Sequence, residues 1–348
     1  MYQISKDKLP ALFETIAQQQ TLYLPISSAG QTNFGVWNPE VQADLKTLKT
    51  VKSPKDVFFP QSETLYTCQR EGKKITIQPE TLKEQPFVVF GMKSCDLQGV
   101  KVLDRVFLSD PADSFYAARR AHGTLVVLAC HEPEETCFCK AFGIDCAKPG
   151  GDVAVWTIGD ILYWNPLTEK GDALTHGLKN LLEDAEKDAE QKIEEEKRSI
   201  GQIVEQLPYS SLSLEGWGGD ALEQKFDSAL WEELYKPCLA CGTCTFVCPT
   251  CQCYDIKDYD TGHGVKRYRC WDSCMYSDFT MMAHGNNRTS QMQRFRQRFM
   301  HKLVYFPDNN DGMYSCVGCG RCVEKCPAAL NIVKVIKAFA EQGGDKNE

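Results

Sequence analysis

The sequence predicts an α+β chain, with an N-terminal α/β domain followed by a C-terminal, all-helical domain. Three observations support this division. Short apolar runs typical of buried strands alternate with helical patterns between residues 86 and 164. Two similar cysteine runs lie beyond residue 237, and a long, mostly helical pattern separates them. A chain of 348 residues is also long enough for about two domains, each with its own core.

The N-terminal domain, predicted over residues 1–207, contains the alternating elements. A helix is predicted over residues 9–20, because Leu9, Leu12 and Ile16 share one face. Residues 27–60 carry Gly, Asn and Pro without a period and are expected to be irregular. A helical pattern predicts a helix over residues 97–107. Short apolar runs predict five strands, over residues 21–26, 86–90, 124–129, 153–156 and 161–164.

A long acidic helix is predicted at the end of this domain, over residues 172–207. Its apolar residues form one stripe, and most of the other residues are Glu, Asp or Lys. This pattern favours a solvated amphipathic helix, and a docking surface for a partner subunit is the alternative. Residues 208–220 have the composition of a linker, so the C-terminal domain is expected to span residues 221–348.

The C-terminal domain carries two cysteine runs of one pattern, C-x2-C-x2-C-x3-C-P. This is the ligand run of two-cluster ferredoxins, in which the fourth cysteine of each run binds the cluster of the other. A zinc ribbon needs two C-x2-C pairs instead, and 18 cysteines are too sparse for a disulfide scaffold. We therefore predict two [4Fe-4S] clusters, the first held by Cys238, Cys241, Cys244 and Cys326 and the second by Cys316, Cys319, Cys322 and Cys248.

A third [4Fe-4S] cluster is predicted in the N-terminal domain. Two cysteines directly follow apolar strands, where the sites of α/β sheets gather, and a C-x-C pair comes shortly after the second of them. The alternative is that these are free thiols packed in the core. Asp96 is either a further ligand or a helix cap, and Cys146 is a further ligand candidate. The predicted ligands are Cys95, Cys130, Cys137 and Cys139.

The stretch between the two cysteine runs is far longer than in a compact bacterial ferredoxin, and a helix is predicted over residues 290–303. It contains four more cysteines, which either bind metal or pack beside the clusters and tune their potentials. Because eight ligands already suffice for two cubanes, packing is favoured for Cys251, Cys253, Cys270 and Cys274. The basic residues 294–302 are expected to form mostly a solvated helix face.

Composition and missing motifs exclude several classes of protein. A net charge of −8 argues against nucleic acid as a partner, and no apolar run is long enough for a membrane span. The first twenty residues show no signal pattern, so a cytoplasmic location is expected, where thiols stay reduced. No dinucleotide fingerprint, P-loop, zinc-protease helix or serine-hydrolase elbow is present.

Several short segments, among them SCDL, CHEP, CFC, CPTCQC and RCWDSC, occur in a fixed order between residues 90 and 330. In this combination the sequence resembles the iron–sulfur electron-transfer subunits of anaerobic sulfite reductase and of soluble NAD(P)-linked [NiFe] hydrogenases, where it is the beta subunit. Together these form a 4Fe-4S dicluster family. The resemblance implies electron transfer between two other subunits. One is an FAD- and NAD(P)-binding partner similar to ferredoxin reductases, and the other is a terminal redox enzyme.

The expected function is therefore that of a non-catalytic iron–sulfur subunit of an anaerobic oxidoreductase complex. It relays single electrons between the flavin partner and a terminal subunit such as a hydrogenase or sulfite reductase, and the chemistry at both ends belongs to other chains. The alternative is a flavin-binding oxidoreductase subunit with its own catalytic site in the N-terminal domain. A third possibility is a structural adaptor whose clusters only stabilise the fold.

Overall fold

The computed structural model describes residues 1–344 of the chain. The longer strands are β1 (Tyr2–Ser5), β2 (Thr21–Ser28), β3 (Gln31–Val36), β4 (Ser62–Glu71), β5 (Lys74–Pro79), β6 (Phe87–Met92), β7 (Gly123–Leu128), β8 (Val153–Ile158), β9 (Ile161–Pro166), β11 (Tyr254–Asp260) and β12 (Gly264–Trp271). Three two-residue strands complete the set: β10 (Glu183–Asp184), β13 (Met281–Met282) and β14 (Gly285–Asn286).

Beyond residue 220 the helices are short, apart from two. The α-helices are α1 (Leu9–Gln19), α2 (Lys55–Phe58), α3 (Ser94–Phe107), α4 (Ser114–His122), α5 (Glu169–Gly177), α6 (Ala189–Gln206), α7 (Leu222–Lys225), α8 (Leu230–Leu234), α9 (Thr243–Phe246), α10 (Gln291–Met300), α11 (Phe306–Asn309), α12 (Arg321–Glu324) and α13 (Ile332–Gly344). A π-helical turn, His301–Tyr305, continues α10. Every helix within residues 1–344 is too short or too polar to span a bilayer.

The largest sheet has the strand order β10-β1-β9-β8-β7-β6-β2-β3. Its four central strands, β8, β7, β6 and β2, run parallel, and the outer ones are antiparallel. The central strands β6 and β7 are buried on both faces, which explains their continuous apolar sequences. Cys95 and Cys130 follow the carboxyl ends of these two strands, as the sequence predicts.

A second, antiparallel sheet has the strand order β11-β12-β4-β5. It pairs residues from the first quarter of the chain with residues from the stretch between the two cysteine runs, as in the register Arg269 to Glu63. The prediction of an all-helical C-terminal domain is therefore wrong for residues 254–271. Residues 27–60, predicted to be irregular, likewise contain β3 and α2.

The long acidic helix predicted over residues 172–207 is divided into α5 and α6, with the edge strand β10 between them. Its apolar stripe is also divided. Leu174, Leu178 and Leu182 pack in one core cluster with β9, whereas Ile193 and Ile200 of α6 pack in another beside Cys130 and Cys146. The helix predicted over residues 290–303 is present as α10 and the π-helical turn.

The segment 208–220, predicted to be a linker, packs against the C-terminal core. Tyr209, Leu212 and Trp217 contact the cluster of buried residues around Trp231, Phe299 and Ile336. The hydroxyl of Tyr314 also donates a hydrogen bond of 3.2 Å to the Trp217 carbonyl oxygen. This segment is thus part of the packed structure.

Candidate metal centres

Both cysteine runs fold in the same way around a glycine in the left-handed conformation. Gly242 has φ +73° and Gly320 has φ +76°, and each precedes a four-residue helix, α9 or α12. A side chain at Gly320 would collide with the backbone carbonyl of Thr136. These glycines allow three cysteines to curl around one point while the fourth is carried past the end of the short helix.

The first predicted ligand set is brought together in one cavity. Cys238, Cys241 and Cys244 line it from the first run, and Cys326 reaches it from the second. Two backbone amides point at these sulfurs: Ala240 N–H lies 3.4 Å from Cys238 Sγ, and Leu330 N–H lies 3.2 Å from Cys326 Sγ. Amide donors of this kind stabilise the negative charge of a thiolate-bound cluster. We call this position site 1.

The second set, site 2, joins Cys316, Cys319 and Cys322 with Cys248. Burial raises the pKa of each of the first three thiols, and the nearby thiolate of Cys248 raises it further. Cys248 itself has a pKa well below its usual range, because the Cys251 thiol donates a hydrogen bond to it and the Lys302 ammonium lies close. Four cysteine sulfurs that interact with one another are the ligand set that a cubane requires.

The third set, site 3, also lines a single cavity, formed by Cys95, Cys130, Cys137 and Cys139. Cys146 lies in the same cavity, where its thiol forms hydrogen bonds with the Cys130 and Cys139 sulfurs. A main-chain hydrogen bond holds Cys146 next to Cys130, since the Cys130 N–H donates to the Cys146 carbonyl oxygen at 3.0 Å. Five cysteines of the N-terminal half therefore line the cavity together with Cys319 of the second run, and the geometry keeps Cys146 as a ligand candidate.

Asp96, the other candidate ligand at site 3, is engaged elsewhere. Its carboxylate accepts a hydrogen bond of 2.7 Å from Arg321 Nη1, and both side chains are only 2% exposed. Its position in the first turn of α3 agrees with the capping role considered from the sequence. Arg321 lies inside the second cysteine run, so this ion pair connects site 2 to the helix that presents Cys95.

Buried cations lie beside the sulfurs. Lys302 Nζ lies 3.4 Å from Cys248 Sγ and donates to Thr250 Oγ1 and to the Ser315 carbonyl oxygen, each at 2.9 Å. Burial opposes its charge, but the nearby sulfurs of Cys248, Cys251 and Cys316 outweigh burial and raise the Lys302 pKa. The solvated face predicted from the sequence is wrong for this side chain, because Lys302 is only 4% exposed.

Arg298 provides a second cation, between sites 1 and 2. It lines the cavity of site 1, is 4% exposed, and its Nε has no hydrogen-bond partner within residues 1–344. Burial opposes its charge, and the nearby thiolates of Cys244 and Cys322 raise its pKa. Because these two cysteines belong to different sites, Arg298 acts on both.

The remaining cysteines fall into two groups. Cys251 lies beside Cys248, and Cys253 hydrogen-bonds to Cys274, so these three pack close to site 2. Cys270, on β12, and Cys68, on β4, belong to the antiparallel sheet away from the three sites. Packing beside a cluster, the favoured interpretation for the extra cysteines, agrees with the positions of the first three and not with that of Cys270.

Residues 1–344 contain no compact group of side chains of the kind that holds a single metal ion. Four thiolates around zinc stand about 3.8 Å apart, as bonds of about 2.3 Å in a tetrahedron require. In the described part of the chain, no three His, Cys, Asp or Glu side chains are close enough to hold one metal ion. The C-x2-C-x2-C-x3-C-P pattern of sites 1 and 2 is instead that of iron–sulfur clusters.

Comparison with known proteins agrees with this chemistry. Residues 237–330 match the family described as 4Fe-4S dicluster domain, and this range contains all eight cysteines of sites 1 and 2. The chain is also 31% identical over 343 residues to sulfhydrogenase 2 subunit beta of Pyrococcus furiosus. The match covers 97% of this chain and 98% of that relative.

The chain belongs to the family of this hydrogenase beta subunit. The resemblance described from the motifs is thereby confirmed. The similarity to this relative extends through the N-terminal half, which contains the cysteines of site 3. The match to the dicluster domain is confined to residues 237–330. The protein is thus an iron–sulfur electron-transfer protein with a 4Fe-4S dicluster domain.

Proposed function

We propose that this chain is the electron relay of a hydrogenase-type complex and carries three [4Fe-4S] clusters in series. Cys319 is the main support, because it belongs to the ligand set of site 2 and also lines the cavity of site 3. The backbones of the two loops are joined there by a hydrogen bond of 2.9 Å from Phe138 N–H to the Gly318 carbonyl oxygen. Site 3 therefore continues the pair formed by sites 1 and 2.

The clusters would be held by the three sets of cysteines. Cys238, Cys241, Cys244 and Cys326 hold the first cluster, and Cys316, Cys319, Cys322 and Cys248 hold the second. Cys95, Cys130, Cys137 and Cys139 hold the third, with Cys146 as a further ligand candidate in that cavity. Such clusters exchange one electron at a time, and the cysteines and cations around them set the potentials.

The proposed partners follow from the similarity to a sulfhydrogenase subunit and from the missing dinucleotide fingerprint. A relative with nearly the same length is named as a subunit of a sulfhydrogenase, which supports a hydrogenase-type terminal subunit for this chain. The sequence contains no dinucleotide fingerprint, so the hydride chemistry of NAD(P)H is assigned to a separate, FAD-binding subunit similar to ferredoxin reductases. That flavin converts a hydride into two single electrons for the relay.

Iron stoichiometry tests the third cluster. Three cubanes require about twelve irons per chain, and two require about eight. We expect the double substitution Cys137→Ser and Cys139→Ser in the full chain to lower iron from about twelve to about eight after anaerobic reconstitution. Cys68→Ser is the matched control and should leave the iron content unchanged. Equal iron in the double variant and the control would contradict the third cluster.

Reduction experiments test the relay. NADH or NADPH should not bleach the visible absorbance of the isolated, flavin-free chain, because its sequence shows no dinucleotide fingerprint. Adding the flavoprotein partner should allow rapid bleaching. If NADH bleaches the isolated, flavin-free chain rapidly, the relay function is refuted.

A further inference from the structure

A large cavity lies at the carboxyl edge of the main sheet, outside the three cysteine sites. Its volume is about 710 Å³, within the range of about 300–1,000 Å³ for small-molecule and cofactor sites. It is enclosed by the ends of β6 and β7, the first turns of α1 and the loop of residues 37–46. In open α/β sheets, ligands bind beyond the carboxyl ends of the parallel strands, which is where this cavity lies.

The cavity combines an apolar wall with positive charge. Leu9, Leu128 and Leu162 line it, together with the rings of Phe13 and Trp37, whose centroids are 6.2 Å apart. The charged residues in its lining are Lys6, Lys46 and Lys93, together with the titratable His131. No carboxylate lines it in the described part of the chain.

Lys93 is the most informative of these lysines. It is only 6% exposed and lines the cavity, and its charge also acts on the Cys130 sulfur. Lys6, in contrast, donates a hydrogen bond of 2.6 Å to the Gly159 carbonyl oxygen and is exposed. Negative charge stabilises a mostly buried ammonium, and an anionic group of a ligand in the cavity can supply it in addition to the Cys130 sulfur.

The cavity also adjoins site 3 through the main chain. Lys93 stands two residues before Cys95, and His131 directly follows Cys130. Only the residues around Cys95 and Cys130 therefore lie between a molecule bound in the cavity and a cluster at site 3. Its size, aromatic wall and lysines favour a planar aromatic molecule that carries a phosphate.

We propose that this cavity binds a phosphorylated aromatic redox molecule of the size of flavin mononucleotide, with its phosphate on Lys93. The choice of a redox-active ligand rests on the proposed relay function, whereas the choice of a phosphorylated aromatic rests on the cavity alone. The site provides the relay with a contact for a small redox molecule at the end opposite to site 1.

Calorimetric titration of flavin mononucleotide into the full chain with its clusters, under anaerobic conditions, tests the site. We expect one molecule bound per chain. Lys93→Gln should weaken binding by at least about tenfold, because a charge-assisted hydrogen bond is lost. Lys187→Gln removes the same charge from an exposed position away from the cavity and should leave the affinity unchanged. Riboflavin, which lacks the phosphate, should bind the native chain about as weakly as flavin mononucleotide binds Lys93→Gln.

Lys46→Gln keeps the test independent of folding, since Lys46 is exposed and its loss disturbs no core. It should also weaken binding, though less than Lys93→Gln. Absence of flavin mononucleotide binding, or equal affinity in the native chain and Lys93→Gln, overturns the proposal. Bleaching by dithionite in matched samples without added flavin reports the clusters separately, because dithionite also bleaches flavin. A chain that bleaches without binding the flavin refutes the site alone, and one that binds the flavin without bleaching refutes the relay.

Discussion

At the scale of single residues, the sulfurs are matched by buried cations. Lys302 lies against Cys248, Arg298 stands between sites 1 and 2, and Arg321 pairs with Asp96 between sites 2 and 3. Reduction adds one negative charge to a cluster, so a nearby cation makes reduction easier and raises the potential. The chain can thus set the potentials along the relay without changing the ligands.

Replacing the buried ammonium at site 2 should lower the potential of that cluster. Lys302→Met removes a charge 3.4 Å from Cys248 Sγ, in a pocket where water does not screen it. We expect the midpoint potential to fall by at least about 60 mV, which is about 1.4 kcal/mol for one electron. Redox titration followed by EPR measures this shift.

Two variants control for effects unrelated to charge. Lys334→Met removes the same charge from an exposed position on α13 and should not change the potential, because water and salt screen it. Lys302→Arg retains the charge and should recover most of the native potential. A Lys302→Met potential equal to that of Lys334→Met would contradict the electrostatic role of Lys302.

At the scale of elements, two short loops decide where the clusters lie. The Gly318–Gly320 turn of the second cysteine run lies directly on the backbone of residues 136–139, with no space for a side chain. This close contact sets the separation of sites 2 and 3. It also explains why both positions are glycine rather than any other small residue.

Gly320→Ala should therefore damage the contact between sites 2 and 3. The new methyl group would collide with the Thr136 carbonyl oxygen and displace the chain that presents Cys137. We expect loss of iron from site 3 and a changed EPR signal from site 2. Gly312→Ala is a matched control, because Gly312 has φ +78° but no atom within 4 Å of an added methyl group. It should cost only the left-handed backbone penalty of about 1–2 kcal/mol and retain its full iron content.

Elements with a local sequence pattern could be predicted from the sequence. Strands that form only by pairing with a distant part of the chain could not. The buried strands at β6 and β7 follow from continuous apolar runs, and the ligand runs follow from cysteine spacing. In contrast, β11 and β12 complete a sheet with β4, nearly two hundred residues earlier in the chain. The polar sequence of β11, YDIKDYD, is exposed along its whole length and has no apolar face that would indicate a strand.

The same distinction applies to individual side chains. Lys302 is one of several basic residues in a helical pattern, and only the π-helical turn places it against Cys248. Cys146 could be neither included in the third ligand set nor excluded from it, because the loop of residues 129–147 has no regular pattern. Its approach to Cys130 depends on a main-chain hydrogen bond that no spacing rule describes.

At the scale of the whole molecule, the chain crosses between its sites twice. Cys326 leaves the second run to reach site 1, and Cys248 leaves the first run to reach site 2. Neither site is complete without the other run, so residues 238–248 and 316–326 are expected to acquire their clusters together. The second sheet adds a further connection between the two halves of the chain.

The crossed ligand assignment leads to a prediction opposite to the one that proximity in sequence would give. Cys248→Ser should damage the cluster of Cys316, Cys319 and Cys322, nearly seventy residues away, and spare the cluster of its own run. The structure supports this expectation, because the Cys248 thiolate acts on all three of those thiols and receives the Lys302 ammonium.

EPR of the reduced protein measures which cluster changes. The signal of site 2 should weaken or shift in Cys248→Ser, and the same signal should respond to Lys302→Met, because both residues touch one cluster. Cys270→Ser, on β12, is the matched control and should leave every signal unchanged. A Cys248→Ser spectrum in which only the cluster of Cys238, Cys241 and Cys244 changes would assign Cys248 to its own run. The crossed ligation would then be wrong, and with it the shared assembly of sites 1 and 2.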